Sequence, residues 1–225
     1  MDRFLRPTET IDRDNPSVAA KAKALTDGPA TERERAVALY YFVRDGIKHN
    51  AYAPLYDAER YKASAVLEAG NGFCQQKSVL LVALARAVGI PARLGYVDVH
   101  DHLLSESFKA MIGGINVFPF HGYAELYVNG RWLHVSPAYD LETCTRKRFV
   151  PVDFDGAGDA KDSPYDLDGN PHIEHVHDHG PYDDFPWDEI LGYYKAWAAR
   201  LGIEWEELKA AGERIRQSKS WGKEK

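Results

Sequence analysis

A run with no polar face constrains this chain more than any other part of it. Between Cys74 and Val88, the side chains of Val79, Leu80, Leu81, Val82, Leu84 and Val88 cover every side of a helix in its second half, and only Arg86 interrupts them. A helix that is apolar all round has to be enclosed by other elements. Gly89 and then Pro91 stop it, as glycine past the last turn and proline beyond it commonly do. The fold must therefore be built around this segment. With 225 residues, 44% of them hydrophobic, the chain can bury a substantial core without disulfides or a structural metal.

The elements available to enclose it are helices before and strands after. Asn15 followed by Pro16 predicts a helix start, continued to Thr26 and stopped by Asp27, Gly28 and Pro29. Thr31 and Glu34 form a capping-box pattern, and Ala36, Leu39, Tyr40, Val43 and Ile47 recur at helical spacing up to Lys48. Ser64 opens a short helix over Ala65–Glu68, and Gly70, Asn71 and Gly72 predict an abrupt turn into Cys74. From Ala92 the texture is β-branched and aromatic: strands are expected over Ala92–Val99, Gly122–Val128 and Arg131–Val135, the last two joined by the hairpin dipeptide Asn129-Gly130. Helices followed by an antiparallel sheet make the class α+β. Asp153–Asp184, dense in Asp, Gly, Pro and His, reads as a long irregular surface excursion, and helices are expected over Trp187–Ala199 and Glu204–Gln217. The division that results is a core over residues 1–150 and an extension over 151–225 packed on the same domain.

Charge removes several function classes. With 28 Lys plus Arg against 34 Asp plus Glu and a net charge of −6, there is no basic footprint for a polyphosphate, so a nucleic-acid partner is not expected. No run approaches the ~20 apolar residues of a membrane span. Met1–Pro16 has no basic head followed by an apolar run, so a cytoplasmic location is expected, with no membrane partner. In that compartment Cys74 and Cys144 are both free thiols.

Cys74 sits at the start of the buried helix. There, unpaired backbone N–H groups and the positive end of the helix dipole lower a thiol's pKa below its ordinary ~8.5, and the same donors can receive an oxyanion. A nucleophile of this kind needs a base. His121, opening the first strand of the Asn-Gly hairpin, can present an imidazole from the sheet to the helix start, the arrangement of thiol acyl transfer.

The residues around both groups carry a resemblance. Gly72-Phe73-Cys74-Gln75-Gln76-Lys77-Ser78, continuing through Leu84-Ala85-Arg86-Ala87-Val88-Gly89-Ile90-Pro91-Ala92-Arg93, resembles the nucleophile helix of the transglutaminase-like superfamily. His121–Trp132 resembles its histidine strand and the tryptophan strand that follows. With Tyr41–Asp45 ahead of them, the resemblance spans roughly residues 31–140. It implies a papain-like core with the Cys helix packed on an antiparallel sheet, and Cys-His-Asp chemistry on an amide, peptide or ester carbonyl. It also implies Cys74 as the nucleophile, His121 as acid and base, and no cofactor. A peptide, a protein or a small amide or ester would be the substrate; the oligomeric state stays open. The family also contains members without activity.

One position departs from the family pattern. The orienting Asp falls four residues after the strand tryptophan, which here is Ser136. A serine supplies no carboxylate, although a neutral partner can hold an imidazole tautomer. Asp140 is the nearest acid downstream. Chemistry favours Asp140 and register favours Ser136, and both stay open. A degenerate triad would make the chain a non-catalytic peptide-binding or scaffold protein of the same fold. Gln75, Gln76 and Asn71 are candidate oxyanion donors by proximity.

Other residues carry plainer expectations. Cys144, away from any glycine turn, reads as filler; Trp132 as a sheet anchor; Arg86 and Arg93 as makers of ion pairs or caps on carbonyls. The cluster His172, Glu174, His175, His177, Asp178 and His179 has no helical zinc spacing, and Asp166–Asn170 places its glycine too early for an EF-hand loop, so a solvated acidic loop is expected there rather than a metal. Val99–Asn116, with His100, His102 and Gly113-Gly114, is long enough to form a lid or one wall of a cleft.

Overall fold

A computed structural model describes residues 1–51, 56–104, 106, 109, 117–207 and 209–210. Part of the Tyr-, Ala- and Pro-rich stretch over residues 50–61, Gly113-Gly114 with most of the expected lid, and most of the helix expected over Glu204–Gln217 lie outside the described residues.

The apolar segment is helix α4 (Cys74–Ala87), and from Gln75 to Arg86 every residue is buried. Three helices pack round it: α1 (Pro16–Thr26), α2 (Glu32–Tyr41) and α3 (Ala63–Ala69). α1 and α2 start at their local signals, whereas α3 begins at Ala63, ahead of Ser64 and without a side-chain cap. Asn15 Oδ1 accepts from the Ser17 N–H at 3.0 Å, and at α2 the Thr31 hydroxyl and Glu34 carboxylate close a capping box. Gly70 ends α3 in the left-handed region at φ +64°. After it, β2 (Asn71–Gly72) pairs in parallel with β1 (Lys48–His49), so the expected turn is a short two-stranded ladder leading into Cys74.

Arg86, the one charge in the apolar run, is fully buried because each of its three nitrogens finds a carbonyl. Its guanidinium bonds the carbonyls of Ala92 (2.9 Å), Arg6 (2.8 Å) and Asp183 (2.7 Å), tying the N-terminal segment and the segment after the sheet to the helix end. Arg93 pairs with Glu125 and stacks on Trp132, which also meets Phe4 and Tyr127, so this tryptophan anchors the outer end of the sheet.

The other layer is a four-stranded antiparallel sheet of β3 (Ala92–Asp101), β4 (Val117–Val128), β5 (Arg131–Val135) and β6 (Ile173–Tyr182), in the order β5-β4-β3-β6. Asn129 and Gly130 both have positive φ, 50° and 85°, as the two-residue hairpin between β4 and β5 requires. The α+β class with an antiparallel sheet against the Cys helix holds. Two expectations are corrected. Strand β4 begins at Val117, so His121 lies within the strand rather than opening it. The stretch over 153–184 is also not irregular throughout, because β6 lies inside it. As an edge strand, β6 leaves most of its side chains in water, which allows a polar composition with Pro181 and two register shifts against β3. The sheet is thus assembled from both sides of a boundary drawn at residue 150. Helices α5 (Leu141–Lys147) and α6 (Trp187–Arg200) follow β5 and β6. Among the described residues, no helix is long and apolar enough to cross a membrane.

Candidate active site

Cys74 is the first residue of α4, and the residue before it, Phe73, offers no side-chain cap. The leading N–H groups of the helix therefore have neither an intrahelical partner nor a side-chain acceptor at the cap, and they gather at the turn that carries the sulfur. Strand β4 passes very close to this turn. A Cβ at Gly122 would lie 2.7 Å from Gln75 Cα and 3.0 Å from its nitrogen, so only glycine allows the approach, and the Gly122 N–H helps to lower the Cys74 thiol's proton affinity.

His121 is aimed by a local irregularity. The residue before it, Phe120, has φ +54°, and the β3–β4 register shifts between Val97 and Val99 opposite it. A bulge of this kind redirects the following side chain. Phe120 is held in this conformation from both sides: its N–H donates to Asp98 Oδ1 (3.0 Å), its carbonyl accepts from Gln75 Nε2 (2.7 Å), and its ring stacks on His179. The result brings the His121 imidazole beside the Cys74 thiol, close enough for each to shift the other's proton affinity.

The other side of the imidazole meets a carboxylate that neither chemistry nor register had singled out. His121 Nε2 lies 3.1 Å from Asp162 Oδ2, with both side chains nearly out of solvent, which leaves Nδ1 for the sulfur. Asp162 reaches this position because its segment runs in parallel beside the end of β5. The Ala160 N–H donates to the His134 carbonyl and the Ser136 N–H to the Ala160 carbonyl, both at 2.8 Å, so the chain arrives beside Ser136 two residues later. Ser136 stands at the registered position, but its hydroxyl donates to Asp162 Oδ2 at 2.6 Å. It holds the carboxylate rather than replacing it. Tyr40 supports the same corner, donating to the Ser136 and Val152 carbonyls.

Asp140 does not take the third position. Its carboxylate caps α5, accepting from the Thr143 N–H and hydroxyl at 3.0 Å each, and from the His49 N–H at 2.7 Å. The proposed side-chain oxyanion donors are committed as well. Gln75 Nε2 bonds Phe120, Gln76 Nε2 bonds the Arg60 carbonyl, and Asn71 Nδ2 bonds the Ala69 carbonyl. The backbone donors at the start of α4 remain. The premise of a degenerate triad, that no carboxylate stands behind His121, does not hold.

The charges reinforce one another. Burial alone would push the Cys74 thiol up, but the His121 charge, its hydrogen bond and the Gly122 N–H bring it below the ordinary thiol value. Burial would also push His121 down, but the charge of Cys74 and the bonds to Asp162 and Cys74 hold it well above 6.5. Against its own burial, Asp162 is drawn down to about 2 by His121 and Ser136. The three side chains thus favour a thiolate, an imidazolium and a carboxylate in a row. Cys144 behaves oppositely: it is buried, and burial pushes its thiol up to about 11. Beside the site lies a concavity of about 660 Å³, with Asp162, His102, Lys161, Tyr165, Glu174 and His175 among its lining residues. Through His102, the segment read as a lid does contribute to a wall.

Comparison with known proteins adds the following. The family model of the transglutaminase-like superfamily matches residues 19–137, just over half of the chain. Asp162 lies beyond that match. No curated protein matches significantly. Among solved structures, similarity is found to a candidate cysteine protease from Cytophaga hutchinsonii (18% identity, 77% of this chain and 54% of that one, TM-score 0.47). It is also found to the periplasmic domain of TgpA from Pseudomonas aeruginosa (24% identity, 60% and 45%, TM-score 0.40). The chain spans about half the length of these structures.

Proposed function

Starting from the fact that the chain belongs to the transglutaminase-like superfamily, we propose that it is a thiol enzyme acting on an amide, peptide or ester carbonyl through an acyl-Cys74 intermediate. One observation carries the reading: His121 stands between the Cys74 thiol, to whose charge it is coupled, and a buried carboxylate 3.1 Å from its Nε2.

In this reading, Cys74 Sγ as the thiolate attacks the carbonyl carbon, and the oxygen takes up the charge near the uncapped N–H groups of α4. His121 gives its proton to the departing amine or alcohol, and the bond to the leaving group breaks, leaving a thioester. Water or an amine then attacks the thioester, His121 takes its proton, and the thiolate departs. Asp162 keeps the imidazole oriented and stabilises its charged form, and Ser136 fixes Asp162. The substrate proposed is a peptide, a protein or a small amide or ester. A cytoplasmic setting is part of the same proposal.

The test is mass spectrometry of the intact protein after incubation with a library of peptides and activated esters. The reading expects an acyl adduct that maps to Cys74 and is absent from Cys74→Ala. Turnover of none of the library, with no adduct in the parent protein, would count against it.

A further inference from the structure

A second cluster of reactive side chains lies on the β3–β6 edge, apart from the Cys-His pair. His100 is the penultimate residue of β3 and His102 the first residue past it, and their rings stack on one another. Glu174 of β6 is directly opposite His100 in the ladder. Backbone pairing thus fixes which three side chains meet, and the His102 N–H bond to the His172 carbonyl continues the pairing past the end of β3.

The two imidazoles converge on a single carboxylate oxygen. His102 Nε2 lies 3.2 Å and His100 Nδ1 3.7 Å from Glu174 Oε2, and the rings stack with centroids 3.9 Å apart. All three ligand atoms fall within 4.8 Å of one another. For a tetrahedral zinc-class ion, bonds of about 2.0–2.2 Å place ligand atoms roughly 3.3–3.5 Å apart. Two of the three edges are already within a few tenths of an ångström of that spacing, and rotating an imidazole closes the third. One hydrogen bond would satisfy one histidine. Only His102 is within hydrogen-bond distance of that oxygen, and an ion held by all three groups would give each ring nitrogen a bond once the rings turn out of their stack. Imidazole and carboxylate together suit a borderline cation such as zinc, cobalt or nickel rather than calcium or magnesium.

We propose that His100, His102 and Glu174 form a binding site for one zinc-class divalent cation. The side chains are partly to largely open to solvent, so the ion can enter and keeps a coordination position for water. Because His102 and Glu174 line the concavity that Asp162 also lines, the ion sits in the wall beside the proposed active site. The site draws only Glu174 from the histidine-rich stretch 172–179; its other ligands come from the end of β3 and the residue just past it.

A thiolate beside an imidazole also binds zinc, so the test removes that route. Zinc is titrated calorimetrically into Cys74→Ala, and cobalt spectra are recorded on the same variant. The expected result is one ion per chain, with a cobalt spectrum lacking the thiolate charge-transfer band. His102→Ala and Glu174→Gln should each weaken binding by about tenfold or more, whereas His177→Ala should leave it unchanged. Glu174→Gln keeps the shape of the side chain and decides the matter if His102→Ala does not fold. Zinc binding confined to protein with Cys74 intact, or binding indifferent to Glu174→Gln, would overturn the proposal, and neither result depends on catalysis.

Discussion

Replacing Asp162 with asparagine keeps the shape beside His121 and removes one charge. At 3.1 Å, with an effective dielectric of about 20, Coulomb's law gives roughly 5 kcal/mol of attraction between carboxylate and imidazolium. Desolvation of two groups that are only 9% and 4% exposed takes back a large part of it, and a hydrogen bond to a charged group nets about 1.5–3 kcal/mol. At about 1.4 kcal/mol per pKa unit, His121 should titrate roughly 1–2 units lower in Asp162→Asn. The thiolate–imidazolium pair should then be about 10- to 100-fold less favoured over the neutral thiol and imidazole. Thiolate ultraviolet absorbance against pH, in a Cys144→Ser background, reads this directly. The parent should show a thiolate midpoint below the ordinary value of a free cysteine, and in Asp162→Asn the midpoint should move up toward that value. The same curve in both proteins would mean that the carboxylate does not support the imidazolium, and the reasoning would fail.

Gly122→Ala places a methyl group 2.7 Å from the Gln75 backbone, so β4 must retreat from the start of α4. A loss of about 1–3 kcal/mol in urea unfolding is expected, together with an upward shift of the thiolate midpoint; an unchanged midpoint would show that the close approach is not needed. Asp140→Ala removes the α5 cap and should cost about 1–2 kcal/mol while leaving the thiolate curve where it is, and a shifted curve would return Asp140 to the site. Acid stability follows from two other histidines. Burial, with neighbouring lysines, holds His49 at about 3 and His134 at about 4, so both stay neutral in the folded chain while the unfolded chain protonates them below about 6.5. Their contribution is complete above that value and lost as pH falls, by up to ~1 kcal/mol per pH unit for each ring. Melting temperature should therefore drop between pH 6.5 and 4, and a flat profile would contradict the assignment.

What the sequence discloses of this fold is what is decided locally. The Thr31–Glu34 box, the Asn129-Gly130 turn and the all-round apolar face of α4 each depend on residues a few positions apart, and each forms where those residues predict. Cys74 is legible for the same reason, because the glycines before it and the apolar run behind it mark a helix start. Phe120 gives no such sign: its left-handed backbone follows from tertiary bonds to Asp98 and Gln75, so the aim of His121 is not written in its neighbours. Asp162 is the clearest case. It sits among many other acids, and it becomes the partner of His121 only because Ala160 pairs with the end of β5. Ser136 was the available clue, since a buried serine where a carboxylate is expected needs an acceptor of its own. Strand β6 escaped notice because an edge strand can stay polar.

In the proposed function, Cys74 is a thiolate because His121 makes it one. Site-resolved alkylation by iodoacetamide near pH 6.5, followed by peptide mapping, tests this without knowledge of the substrate. The account predicts that Cys74 reacts far faster than Cys144 and that His121→Ala removes the difference. Equally slow labelling of both cysteines, or fast labelling of Cys74 that survives His121→Ala, would contradict it.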